Sequence, residues 1–422
     1  MQKKSRYNLI YIFPDQLGYK WLGCAGNPLI KTPNIDQFAK ENYNFNSAYS
    51  NSPVCTPYRG ILFTGKYPSQ TKITNNGHEL PIGEKLLADY FNEAGYKTAY
   101  VGKWHLSGSP HCNRWVPESK RGGFQDFIGW ESHHVDHMNG LIWERPDRPV
   151  LLEGHETDGL TDIAIQRIDS LQKNCEYDPF CLFISYQAPH PPCTPLSPYQ
   201  EIYSEVDLCI ESNTDREAVF KNHFWGADYD TQEFRQRYYS EISHIDAAFG
   251  KILSYVDESG LSENTIVVFT SDHGEMNGCH GLFGKGVMFE ESIKIPPMVR
   301  FPRQKGREIN TPVSTIDLFP SLLDLCNVET NNVFQGRSIK NVMFEDHTSS
   351  EDEPVFFEYS DWIGVLQNSL KLSINRYNGN LLSCFNLKKD PFEENSLVGS
   401  TDLKGQHEIL INQLIDWQKG LE

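Results

Sequence analysis

Cys55 and Arg59 stand four residues apart within Asn51-Ser-Pro-Val-Cys-Thr-Pro-Tyr-Arg-Gly-Ile-Leu-Phe-Thr-Gly65. That spacing puts both side chains on one face of a helix. Thr56 reads as the N-cap of this helix, Pro57 as its first residue and Gly65 as its left-handed stop. A thiol at a helix N-terminus faces unpaired backbone N–H groups and the positive end of the dipole, which favour an anion. The competing reading is a buried cysteine beside a structural arginine.

Other chemistry-bearing groups recur where apolar runs end. Asp15 and Gln16 follow the run Asn8 to Phe13, and Asp272 and His273 follow Thr265 to Thr270. Both runs read as buried strands, so these groups fall at strand carboxyl ends, where open α/β sheets place their sites. Asp15, Gln16 and Asp272 can offer oxygen to a hard cation. Gln16 gives a neutral amide oxygen in place of a carboxylate, and His273 suits calcium less well than oxygen donors do. A further strand, Lys97 to Val101, delivers Gly102-Lys103-Trp104-His105. Lys103 and His105, two apart on an extended segment, point the same way and suit two contacts to one anion. His190 follows the strand Phe180 to Tyr186 within Gln187-Ala-Pro-His-Pro-Pro192, and Lys285 lies in Gly281 to Glu291. Each of these residues also has a plain reading as a cap, turn or loop residue.

The elements that must position these groups alternate in type. Helical periodicity marks Glu84 to Glu93, Asp158 to Lys173, Gln236 to Ser259 and Ser314 to Cys326, and Pro297 to Phe301 reads as a strand. His244 and Asp246 on the long helix read as structural. Residues 109–155 form a long excursion whose His-His-x-Asp-His string (His133 to His137) admits a zinc site, a substrate-facing insertion or a surface loop. Arg145 and Arg148 share that ambiguity. Residues 193–236 read as an irregular lid or surface loop. Strands at Val355 to Tyr359, Gly364 to Leu366 and Lys371 to Ile374, with a closing helix Asp402 to Lys419, form a smaller terminal unit. No internal repeat or low-complexity segment is present.

With 422 residues, 39% hydrophobic and 12% aromatic, the chain can build one large α/β domain and a smaller one. A formal charge of −18 argues against nucleic acid or an anionic membrane as the main partner, yet a local Lys, His and Arg cluster can still bind an anionic substrate. No apolar run reaches the length of a transmembrane span. Leu9 to Phe13 is too short for a signal-peptide core. The expectation is a cytoplasmic protein if the chain is complete, and a periplasmic or secreted one if a leader has been removed. The ten cysteines show no Cys-x-x-Cys pair and read as free thiols of a reducing compartment.

Cys55-Thr56-Pro57-Tyr58-Arg59, followed by a helix and Thr64-Gly65, resembles the signature of the type I sulfatases of the alkaline phosphatase superfamily. It departs at Tyr58, where a serine or another small residue is usual. The resemblance continues in order through Asp15-Gln16, Gly-Lys-Trp-His, Pro-His-x-Pro, Asp272-His273 and the Lys285 segment. It implies an α/β fold, with a large mixed, mainly parallel sheet sandwiched by helices over residues 1–350 and an antiparallel-sheet subdomain over 351–422. It further implies that Cys55 is converted to formylglycine by a formylglycine-generating or radical sulfatase-maturating enzyme. One Ca2+ would be held by Asp15, Gln16, Asp272 and His273. Arg59 would orient residue 55, while Lys103, Lys285 and His190 would hold the sulfate. His190 would protonate the leaving alcohol, Asp272 would accept a proton, and His105 would assist release.

The implied reaction is hydrolysis of a sulfate monoester, in which one hydroxyl of an aldehyde hydrate attacks sulfur and the other expels sulfate. The Cys-Thr-Pro-Tyr-Arg form and the Tyr186-to-Pro191 context are most similar to bacterial carbohydrate sulfatases. That implies an exo-acting enzyme on a sulfated saccharide, of the galactose sulfate or N-acetylgalactosamine sulfate kind. Its pocket wall would come from residues 109–155, 193–236 and the neighbourhood of Asp361 and Trp362. A phosphonate monoester hydrolase or phosphodiesterase of the same superfamily is the alternative. A two-zinc phosphatase would need a hydroxyl nucleophile and other ligands, and an inactive carbohydrate-binding homologue would not need the matched set.

Overall fold

Alternate residues of the Asn8–Asp15 strand face opposite ways, and both sets are apolar and fully buried: Ile10 and Ile12 on one side, Leu9, Tyr11 and Phe13 on the other. Such a strand must lie inside a sheet covered on both faces. The computed structural model, which describes residues 6–108, 114–132, 135–174, 178–221, 228–345, 353–400 and 404–421, shows that arrangement. The strand is central in a ten-stranded sheet. Five adjacent strands, itself included, run parallel in the order Thr265–Phe269, Asn8–Asp15, Phe180–Pro189, Lys97–Lys103 and Asp126–Trp130. Antiparallel pairings extend it through Met298–Arg300 on one side and through Leu141–Arg145 and Arg148–Leu151 on the other.

Helices cover both faces. Ile10 and Ile12 share a core with Ile242, Ile245 and Phe249 of the Thr231–Glu258 helix and Ile168 of the Glu156–Asn174 helix. Leu9, Tyr11 and Phe13 pack with Leu62 and Phe63 of the Cys55–Thr64 helix and with Phe319 and Leu322 of the Thr315–Leu325 helix. Among the described residues no helix is long and apolar enough to cross a membrane. Eight cysteines (24, 55, 181, 193, 209, 279, 326 and 384) carry free thiols, and Cys112 and Cys175 lie outside the described residues.

Several boundaries differ from the sequence expectation, each for a local reason. The helix expected from Glu84 runs Leu87–Glu93, because the Asp89 carboxylate accepts from the Leu86 amide at 2.9 Å and holds Leu86 extended. The long helix begins at Thr231, not Gln236, because Asp230 caps it through the Glu233 amide at 2.8 Å. The 193–236 segment is also less irregular than expected, with a short helix at Tyr199–Tyr203. The 109–155 excursion contributes three sheet strands. Arg148 pairs with Glu144 at 3.7 Å on that sheet edge, where Arg145 is also exposed. The closing helix is described from Lys404 to Gly420.

Asp246 on the long helix ties it to the Pro33–Glu41 helix, accepting from the Ile35 amide at 2.7 Å, the Asn34 amide at 3.2 Å and the Asn34 side chain at 2.8 Å. This is the structural role expected for it. Asp246→Ala strips a helix N-terminus of its buried acceptor and is expected to lower stability by about 2 kcal/mol. Urea unfolding checks this, with turnover per folded molecule unchanged.

The terminal unit is a four-stranded antiparallel sheet in sequential order, Val355–Tyr359, Trp362–Gln367, Leu370–Asn375 and Leu381–Asn386. Leu410 and Leu414 of the closing helix cover one face over Ile363, Val365, Leu372 and Ile374. The other face sets Val355, Phe357, Trp362 and Leu366 against Tyr49, Met288 and Ile293 of the larger unit. Gly364 permits this approach, since a Cβ there would lie 2.2 Å from Met288 Sδ. A buried Lys371 joins the two units, 2.9 Å from Glu290 and 2.6 Å from Glu393.

Candidate active site

The parallel strands all deliver their carboxyl ends to one edge of the sheet. Asp15 ends its strand, Lys103 ends the next but one, and Asp272 and His273 lie just past Phe269. Strand geometry is tight here: Gly102 has φ +110°, and a Cβ on it would meet the Ser185 carbonyl at 2.0 Å, so only glycine passes. Gln16 and His105 also have left-handed φ values, 68° and 60°, which non-glycine residues adopt at a cost that tends to be retained at functional sites.

Cys55 meets this edge from the helix above it. The helix starts two residues earlier than the sequence suggested, with Val54 in the cap position. Thr56 does not cap it, because its hydroxyl donates to the His105 carbonyl at 2.9 Å. Gly65 ends it in the left-handed region, as expected. The Cys55 thiol is 3.5 Å from Asp15 Oδ1 and 3.4 Å from His273 Nε2, and only 1% of the residue is exposed. Arg59 is fully buried below it. Its guanidinium reaches Asp15 at 3.3 Å and Asp272 at 3.6 Å, and donates to Ser185 Oγ at 2.9 Å, Tyr100 OH at 3.2 Å and the Lys103 carbonyl at 2.5 Å. Lys103 Nζ lies 2.8 Å from Asp15 Oδ2.

The second lysine arrives through an amide. Gln16 donates its backbone N–H to Asp272 Oδ1 at 2.8 Å and its side-chain NH2 to Glu275, which leaves its amide oxygen to accept from Lys285 Nζ. His190 is half-buried, with its Nδ1 proton committed to the Pro191 carbonyl at 2.6 Å, and it acts electrostatically on Asp15. His105 is buried two residues past Lys103. Asp15, Cys55, Arg59, Lys103, Asp272 and His273 thus touch one another, Gln16 and Lys285 join them, and His190 borders them. His133 and His134 of the expected metal string lie outside the described residues. Of the rest, Asp136 is exposed while His137 is buried against Gln187, so they do not converge.

Charge is unevenly shared in this pocket. Burial, reinforced by Asp15, pushes the Asp272 carboxyl up to about 6. Burial acts the same way on Asp15, but Lys103, His190, Lys285 and Arg59 outweigh it and hold Asp15 well below its ordinary range. Burial pushes His273 down to about 4, so its imidazole is neutral. Its Nδ1 proton donates to the Gly274 carbonyl at 3.0 Å, and the Nε2 lone pair therefore faces Asp15, Asp272 and Cys55. Burial disfavours the Lys285 ammonium, yet Cys55, Asp15, Asp272 and Glu275 raise its pKa overall.

The donor set fits a divalent cation. Ligand atoms of Asp15, Cys55, Asp272 and His273 all lie within 4.8 Å of one another. Asp272 Oδ2 is buried with no hydrogen-bond partner among the described residues. Three supporting residues escaped the sequence reading. Ser185 and Tyr100 hold Arg59 from neighbouring strands, a contact no spacing reveals. Glu275 grips Gln16 while accepting from the Gly284 amide at 2.6 Å and the Asn277 amide at 3.0 Å. Its place three residues after Asp272 was the available signal.

The expected pocket wall also needs correction. Trp362 is not available to stack on a ligand: it is 8% exposed, and its indole N–H donates to the Gly286 carbonyl at 3.0 Å. Tyr359 lies at this rim instead, over Gly286, which also borders Val54 next to Cys55.

Cationic groups suited to a tetrahedral oxyanion meet acid oxygens suited to a divalent metal, at the carboxyl edge of a mixed sheet, as in alkaline-phosphatase-like hydrolases. The chain belongs to the sulfatase family, whose profile matches residues 7–328. A second profile, the C-terminal region of N-sulphoglucosamine sulphohydrolase, matches residues 278–420. The chain is 32% identical to an ulvan-active sulfatase of Formosa agariphila, over 97% of this chain and 80% of that one. It is 24% identical to an N-acetylglucosamine-6-O-sulfatase of Bacteroides thetaiotaomicron, over 99% and 87%. The structure of an enzyme solved with its substrate D-glucosamine-2-N,6-O-disulfate shares the fold, with a TM-score of 0.86, 22% identity and coverage of 99% and 98%. The protein is therefore an enzyme that hydrolyses sulfate esters. Its family uses a metal ion and a modified cysteine, and here a buried cysteine sits inside a group that could hold a metal.

Proposed function

We propose that this enzyme removes sulfate from a saccharide, with residue 55 as formylglycine and one Ca2+ held by Asp15, Asp272, His273 and, once its amide oxygen turns from Lys285, Gln16. The observation that carries the reading is Cys55 itself, buried at a helix N-terminus between two carboxylates and flanked by Arg59 and His273. The aldehyde hydrate would supply a nucleophile with a built-in route to release sulfate. The cation would supply positive charge to a sulfate oxygen and lower the pKa of the attacking hydroxyl.

The chain's own groups do the rest. Arg59, locked by four acceptors and an ion pair with Asp272, orients the helix that presents residue 55. Lys103 and Lys285 bind the sulfuryl oxygens from two sides, where desolvated cations act strongly on developing charge. Asp272 takes a proton from the nucleophile. His190 gives a proton to the leaving oxygen from Nε2, since Nδ1 is committed to Pro191. His105 takes a proton during release. Tyr359 offers an aromatic face at the rim, suited to a sugar ring.

The names of the relatives above, an ulvan-active sulfatase and an N-acetylglucosamine sulfatase, support a saccharide as the ester's alcohol. The phosphonate monoester hydrolase alternative is less supported. Gln16 and the Asp272–His273 pair suit either ester, whereas these relatives are sulfatases.

Turnover measured on sulfated mono- and oligosaccharides, beside choline sulfate, an aryl sulfate and a phosphonate ester, tests the substrate. Efficient cleavage of a non-sugar ester with every saccharide inert would defeat the saccharide reading. Peptide mass spectrometry of protein from the native host is expected to find residue 55 at least partly as formylglycine. Unmodified cysteine alone in that material would overturn the assignment.

A further inference from the structure

On the face of the sheet covered by the Glu156–Asn174 and Thr231–Glu258 helices, a second group of metal-ligand side chains lies apart from Cys55. His155 precedes the Glu156–Asn174 helix, while Glu241 and His244 stand three residues apart on the Thr231–Glu258 helix and so share a face. One ligand atom from each lies within 4.8 Å of the others. The three side chains are 0%, 1% and 3% exposed. His155 Nε2 pairs with Glu241 Oε1 at 3.7 Å, a contact that outweighs burial and raises the His155 pKa while lowering that of Glu241. His155 Nε2, Glu241 Oε2 and His244 Nδ1 have no hydrogen-bond partner among the described residues. Buried polar atoms are rarely left this way, and an unplaced ion is one standard cause.

We propose that His155, Glu241 and His244 form a second cation site, selective for a transition metal of the zinc class, which braces the strap carrying His190. Two imidazoles and one carboxylate are a zinc donor set, whereas calcium seeks oxygen ligands. Asp158 sits at the solvent edge with its side chain 39% exposed, 3.1 Å from His244 Nε2, where it orients the imidazole as an outer partner while solvent supplies the fourth ligand. The Tyr199 ring, stacked on His244 at 4.6 Å, fixes the orientation of that imidazole.

The bracing follows from what the ligands already hold. Glu241 Oε1 accepts from the Thr194 amide at 2.8 Å, and Glu156, next to His155, accepts from the Ala188 amide at 3.2 Å. Those two amides bracket His190. Binding also carries a proton cost. The Thr157 amide donates to His155 Nδ1 at 3.3 Å, so the proton on His155 lies at Nε2. Ligation through Nε2 expels a proton or moves it to Nδ1, giving up the long Thr157 contact. This site is independent of the substrate reading.

The test uses full-length protein freed of metal by a chelator and titrated with Zn2+ by calorimetry and elemental analysis. Cys55→Ala combined with His273→Ala serves as the background, to silence zinc uptake at the Cys55 cluster. One zinc per chain is expected there, with a higher melting temperature on loading. Adding His244→Ala or the milder Glu241→Gln is expected to weaken zinc by no less than the ~10–100-fold that loss of even a supporting partner costs. A cobalt(II) spectrum of a four-coordinate site, present in the background and lost in both triple variants, gives a readout that misfolding alone would not mimic when circular dichroism is unchanged. Equal zinc uptake with and without the added substitutions, or no uptake in the background, would overturn the proposal and leave a buried ion-pair network.

Discussion

Asp272→Asn should reduce sulfate-ester turnover by about 10³-fold or more, within the range that loss of an acid–base group alone commands. The substitution keeps the shape of the side chain and removes two things. One is a carboxylate oxygen of the group around Cys55, whose loss should show as a lower ratio of bound cation to protein. The other is the base whose proton affinity burial and Asp15 have raised. Turnover within tenfold of wild type, with the cation retained, would remove Asp272 from the mechanism.

The same variant carries an opposite expectation for stability. In metal-free protein, the Asp272 carboxyl binds its proton more tightly folded, at about 6, than unfolded, near 3.8. The folded state therefore holds more protons between about pH 4 and 6, and its stability falls as pH rises through that window. Asp272→Asn should relieve this loss, making the metal-free variant the more stable protein above pH 6. The advantage should vanish below pH 4. Chemical unfolding at both pH values measures it. A site that is dead yet more stable is the expected mark of strain kept for function.

Lys285→Ala should cost about 10²–10³-fold in kcat, the usual loss when one buried donor to developing charge is removed. The lysine is held ready by Gln16, and its pKa is raised by Cys55, Asp15, Asp272 and Glu275, so no proton must be gained during turnover. Because negative charge on the sulfuryl oxygens shifts in the transition state, kcat should fall more than KM rises. Lys285→Arg should not restore activity, since a planar fork cannot replace a compact ammonium against one amide oxygen. Steady-state kinetics on one saccharide sulfate decides it. A change in KM alone would make Lys285 a ground-state binder.

What could be read from the chain was largely where strands stop. Asp15, Lys103, His190 and Asp272 each follow an apolar run, and in a parallel sheet all such ends share one edge. Three strands of the terminal sheet were legible as short runs, but its antiparallel order came only from the resemblance, and the fourth strand, Leu381–Asn386, was not expected. What stayed hidden depended on contacts between distant segments. Thr56 had every local mark of an N-cap, but the His105 carbonyl, brought in by another strand, claimed its hydroxyl. The start of the long helix turned on Asp230, a single side chain in a polar stretch. The His-His-x-Asp-His string drew attention because its residues are adjacent. His155 is far in sequence from Glu241 and His244, and they meet only after two helices pack.

Lys285 opens a segment that leans on the terminal sheet at every step. The Gly286 carbonyl accepts from Trp362, Met288 packs over Gly364, Glu290 pairs with Lys371, and the Glu290 amide donates to Glu393. The small sheet is thus a splint for a lysine it does not contain. A change on its strands, even one that only adjusts how a sugar fits at the rim, is transmitted along this splint to the group gripping the sulfate. Recognition of the alcohol and handling of the sulfuryl group are thereby mechanically geared, and neither can drift far without resetting the other.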